Sequence, residues 1–80
     1  MNDDEIRETI DRLVAEEHEL RAKHELEPLD GQGKDRLRQL EESLDQCWDL
    51  LRQRRAAREF GKDPDNVAVR PVETVEHYRQ

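Results

Sequence analysis

The sequence predicts an all-α protein: a long antiparallel two-helix hairpin, coiled-coil-like, with an irregular C-terminal tail. Three observations lead there. Two segments carry apolar residues at alternating steps of three and four, the period of a helical face. A Pro- and Gly-containing break separates them. The composition is rich in helix formers, with few β-branched residues before Val67. Only 32% of the 80 residues are hydrophobic and 44% are charged, so the core is a narrow seam. Such a composition borders on disorder, and the strict periodicity argues for helices instead.

The first helix is expected over 3–26. Ile6, Ile10, Leu13, Glu17, Leu20 and His24 trace one face. Asn2 or Asp3 suits the N-cap, and Asp4, Glu5 and Glu8 complement the positive helix end. Pro28 disfavours helical geometry at Glu27, and Asp30-Gly31-Gln32-Gly33 reads as turn, giving a loop over 27–33. The second helix is expected over 34–60. Leu37, Leu40, Leu44, Cys47 and Leu51 continue the seam, with Arg54 and Arg58 at the next two positions. Gly61 stands where a left-handed C-cap belongs. In the tail, 61–80, Lys62 to Asn66 is a turn cluster and Val67 onward begins extended, with Pro71 placed to start a short helical turn. All of this fits within one domain, 1–80.

Trp48 and Leu50 flank the seam of the second helix on opposite sides, at the e and g heptad positions, and widen its apolar stripe beyond what one partner helix covers. That width calls for a third element: a second copy pairing into a four-helix dimer, the C-terminal tail, or both. Trp48 is an anchor in either case, and Arg70-Pro71 could lie across its indole.

Residues 1–30 hold eleven acidic and four basic residues, a net of −7, whereas 52–60 hold Arg52, Arg54, Arg55 and Arg58 against Glu59, a net of +3. A hairpin turn near residue 31 brings Asp3, Asp4 and Glu8 alongside Arg54, Arg55 and Arg58. The basic end then aligns the two helices. The competing reading is a nucleic-acid-associated accessory protein whose Arg52–Arg58 cluster reaches phosphates. It lacks an aromatic platform for bases, and the whole-chain charge of −7 opposes it.

Catalytic chemistry finds little support. His18 and His24 lie six apart, on different helix faces, and so do not share the i, i+3 or i, i+4 spacing of a helical metal pair. Glu17 and His24 read as a polar break that fixes register. An enzyme would require Glu17, His24 and Tyr78 to converge in a pocket. Cys47 is a small core residue, with an intermolecular thiol contact as its rival. One cysteine excludes an intrachain disulfide. The opening MNDDEIRE has neither the basic nor the apolar region of a secretory signal, and no apolar run reaches the roughly 20 residues of a membrane span, so a cytoplasmic protein is expected. No catalytic, cofactor or metal residue is assigned. The candidate interaction residues are Trp48, Leu50, Arg54, Arg55 and Arg58.

The stretch LDQCWDLLRQRRAAREFG (44–61), followed by Asp63-Pro64-Asp65 and by RPVETVEHY (70–78), resembles the small actinobacterial proteins grouped as domain-of-unknown-function family 2630. The run Glu16-Glu17-His18-Glu19-Leu20-Arg21 fits as well, so the resemblance spans nearly the whole chain. It implies a short, single-domain, intracellular bacterial protein and supplies no activity, cofactor or catalytic residue. The expected role is therefore a non-enzymatic protein–protein interaction or scaffold module, with itself or another protein as partner.

Overall fold

A computed structural model describes residues 2–77. Helix α1 spans Asp3–Leu26. Its start is set by a capping box: Asn2 Oδ1 accepts the Glu5 amide at 2.8 Å, and Glu5 Oε1 accepts the Asn2 amide at 3.0 Å. Two otherwise orphaned donors are satisfied, and Asp3, Asp4 and Glu5 face the positive end of the dipole. The helix stops at Glu27, which adopts extended geometry before Pro28.

Helix α2 spans Gly31–Glu59, so the expected loop over 27–33 shrinks to 27–30. The Asp30 carboxylate caps the new start by accepting the Gly33 amide at 2.7 Å, and the Asp30 carbonyl accepts the Lys34 amide at 3.0 Å. A good N-cap outweighs the poor helix propensity of two glycines in the first turn. Gly33 also suits the site sterically, because a Cβ there would lie 3.1 Å from the Leu29 side chain. At the other end α2 closes in a Schellman motif. The Lys62 amide donates to the Ala57 carbonyl and the Gly61 amide to the Arg58 carbonyl, with Gly61 at φ 72°.

The tail holds the turn cluster and the Pro71 helical start that the sequence reading places there. A 3₁₀ turn at Pro64–Asn66 is capped by Asp63, and a third helix, α3, spans Val72–His77. The Pro71 carbonyl accepts the amides of Thr74 and Val75, which starts that helix. Tyr78 lies outside the described residues.

Helix α2 is the middle of the molecule. α1 packs along it antiparallel, and the 3₁₀ turn and α3 each pack against it as well. The product is flat and elongated, 50 × 26 × 16 Å. Ile6, Ile10, Leu44 and Leu50 form the central cluster, with Leu13, Val14, Cys47, Leu51 and Val67 packed around it. Leu50 is buried there, so the tail supplies cover on that side of the stripe. Trp48, on the other side, keeps 50% of its surface in water.

One expectation about the seam, the polar break at Glu17 and His24, requires correction. His24 is exposed rather than a buried register device: its Nδ1 accepts the Leu29 amide at 3.2 Å and steadies the loop. The early start of α2 leaves only a short connection there, and the imidazole serves it. Glu17 is half-buried, but its carboxylate turns to Arg21 on its own helix, 3.5 Å away. Beside the seam, the Arg70 guanidinium engages the buried Asp49 carboxylate in charge-assisted hydrogen bonds.

Candidate functional site

The arginine end sorts its four cations by position on the helix. Arg54 points inward and its side chain is only 7% exposed. Its Nε donates to Asp3 Oδ1 at 2.6 Å, and its Nη1 donates to the Pro64 carbonyl and to Asp65 Oδ1, both at 3.0 Å. One guanidinium thus joins the start of α1, the end of α2 and the 3₁₀ turn. Arg58, one turn further, holds the other Asp3 oxygen at 2.9 Å. The bonds from Arg54, then Arg58, lower the Asp3 pKa below its ordinary value, and Asp3 in turn raises that of Arg54. Asp3 is the acidic partner; Asp4 instead faces Arg7 at 3.7 Å on its own helix. Arg55 projects outward, 79% exposed, and lies 3.4 Å from Glu59. Arg52 is exposed too and approaches Asp49 at 4.0 Å.

A second ionic cluster, which the sequence reading missed, locks the tail. Asp49 is 1% exposed and accepts Gln53 Nε2 at 2.8 Å, Arg70 Nε at 2.9 Å and Arg70 Nη2. Gln46 Nε2 donates to the Arg70 carbonyl at 3.2 Å. The Arg70 bonds dominate and lower the Asp49 pKa against the opposing pull of burial. Nearby, burial pushes the half-buried Cys47 thiol up, which keeps it protonated and poorly nucleophilic.

The Trp48 face is a third feature. Beside the indole runs an open groove of about 480 Å³ between α1, α2 and α3. Among the described residues its walls carry five carboxylates, from Glu17, Glu41, Glu42, Asp45 and Glu76, and the two guanidinium groups of Arg21 and Arg38. Arg21 Nη2 bonds Glu41 Oε1 at 3.0 Å across the helix pair. The groove is acidic, solvent-open and edged by a large aromatic. Glu17 lines it, whereas His24 does not, so the structure does not bring these two together. Among the described residues no three His, Cys, Asp or Glu side chains gather to hold a metal ion. No helix among them is long and apolar enough to cross a membrane.

The family described as "Protein of unknown function (DUF2630)" matches residues 2–80. The chain belongs to this family. Its relatives include an uncharacterized protein of Mycobacterium bovis, 51% identical over 67 residues that cover 82% of this chain and 77% of the relative. Uncharacterized proteins from two strains of Mycobacterium tuberculosis match with the same identity and coverage. No solved structure matches at a significant level. Membership thus agrees with the resemblance carried by residues 44–61 and attaches no chemistry to any residue of the family fold.

Proposed function

We propose that the protein is a non-enzymatic interaction module, a small helical platform that binds a protein partner across its Trp48 face. The observation that carries this reading is Trp48 itself. A large aromatic with half its surface in water, at the edge of a groove, is the kind of residue that anchors interfaces. Leu50, the other candidate flanking the seam, serves the core instead and is not part of that face. Arg54 and Arg58 hold the molecule together, which leaves Arg52 and Arg55 as the exposed cations beside Trp48.

The nucleic-acid reading is weaker on the same grounds, because its central arginine, Arg54, is enclosed by Asp3 and Asp65 and does not face solvent phosphates. The reading takes the cytoplasm as the place of action, which suits a single unpaired cysteine. The test is site-specific photocrosslinking from position 52 in a mycobacterial lysate, followed by mass spectrometry. A defined crosslinked protein that disappears in Trp48→Ala is the expected outcome. Crosslinks that persist unchanged in Trp48→Ala would remove the Trp48 face from consideration.

A further inference from the structure

We infer that the Trp48 face docks a second copy of this chain, antiparallel about a two-fold axis at Trp48, so that Glu41 of each copy meets Arg55 of the other. The inference rests on the interaction reading above and names the partner. Glu41, Trp48 and Arg55 are spaced by seven residues, so they form one stripe along α2. At 1.5 Å per residue, Glu41 and Arg55 stand about 10.5 Å to either side of the indole. All three are accessible: the side chains of Glu41 and Arg55 are 48% and 79% exposed, and Trp48 is half exposed.

An isologous interface requires a patch complementary to itself under rotation, and this stripe has opposite charges at equal distances from its centre. The wider surroundings repeat the pattern. On the Glu41 side lies the groove, where the described lining includes Glu17, Glu41 and Glu42 beside Arg21 and Arg38. On the opposite side stand Arg52 and Arg55, both directed outward. Rotation about Trp48 brings the two cations of one copy to the acidic groove of the other and places the two indoles face to face, where offset stacking is favourable. The present partners of Glu41 and Arg55, namely Arg21 and Glu59, are exposed surface pairs, and such pairs are readily shared or exchanged.

The test follows the full chain by sedimentation equilibrium and by tryptophan emission from about 1 µM to about 1 mM, a range that brackets weak and moderate association. Trp48 is the sole tryptophan, so its emission reports this face alone. The expected result is a mass rising toward twice 9.6 kDa, with a parallel shift of emission to shorter wavelength. Glu41→Arg and Arg55→Glu should each weaken association roughly tenfold or more, since each sets like charges opposite one another twice. Mixing these two variants in equal amounts should restore association, because the heterodimer pairs opposite charges at both contacts. Circular dichroism of each variant checks that the helices persist. A monomer at every concentration, a dimer with unchanged emission, or a mixture that fails to recover each overturns the inference. If the chain stays monomeric yet captures a different protein through Trp48, the second copy is ruled out and the interaction reading stands.

Discussion

Replacing Val75 with alanine should detach α3 while leaving the hairpin folded. Val75 is 2% exposed, and among the described elements α3 packs against α2 alone. A six-residue helix cannot hold itself in water, because nucleation costs more than so few hydrogen bonds return. Its order therefore depends on docking, to which Val75 contributes the buried apolar surface. Removing two methyl groups at about 0.8 kcal/mol each, with a small addition for an incompletely filled cavity, gives a loss of roughly 1.5–2.5 kcal/mol. Amide hydrogen exchange is the direct assay, since local opening is read residue by residue. The Thr74 and Val75 amides, both bonded to the Pro71 carbonyl, should exchange roughly 13 to 70 times faster, at 1.36 kcal/mol per decade. Amides of α1 around Ile6 and Ile10 should change far less. Equal acceleration of α1 and α3 would refute the argument, because it would make the tail and the hairpin a single cooperative unit. Unchanged α3 exchange would refute it equally.

Three further outcomes follow from the ionic clusters and the helix end. Arg54→Leu should lower the melting temperature clearly, because it strips the Asp3 carboxylate and the 3₁₀ turn of their shared donor, whereas Arg55→Leu should stay within about 0.5 kcal/mol of the parent. Acid should destabilise through Asp3 and Asp49. Both carboxyls have folded pKa values below their ordinary ones, so their contribution is present above about pH 4 and is lost as pH falls through the folded values; a melting temperature independent of pH below 4 would contradict this. Gly61→Ala should cost about 1 kcal/mol in urea unfolding, since alanine fits poorly at φ 72° even though space is open around the Cβ position.

Much of the hairpin was legible because its signals are local. The capping residue Asn2, the Pro28 stop and the Gly61 cap are each read within a few positions, and α1 spans 3–26 as those signals require. The start of α2 was misplaced because two glycines look like a loop, while the capping strength of Asp30 shows only once its carboxylate is seen on Gly33. The charged interior was harder. Asp49 belongs by type to a solvated face, and the partner that makes its burial tolerable, Arg70, lies 21 residues away with no periodicity linking them. The four arginines of 52–58 look equivalent in a string of letters. Only the 3₁₀ turn, by offering the Pro64 carbonyl and Asp65 to Arg54, separates the enclosed cation from its exposed neighbours.

The Arg54 junction also bears on how the chain completes itself during synthesis. Its acidic partners lie 51 residues before it and 11 residues after it. Emerging from a ribosome N-terminus first, α1 and α2 can close once Glu59 is free, with Asp3 already in reach of the guanidinium. At that moment the remaining donors of Arg54 face an empty flank, and Asp49 still awaits Arg70. The last quarter of the chain supplies the further acceptors of the one and the guanidinium partner of the other. A nascent or truncated product ending near Gly61 would carry unfilled Arg54 donors, paired to Asp3 alone, and an Asp49 carboxylate without Arg70 along the side that the tail covers. Such a product could be told from the finished molecule by that charged flank alone.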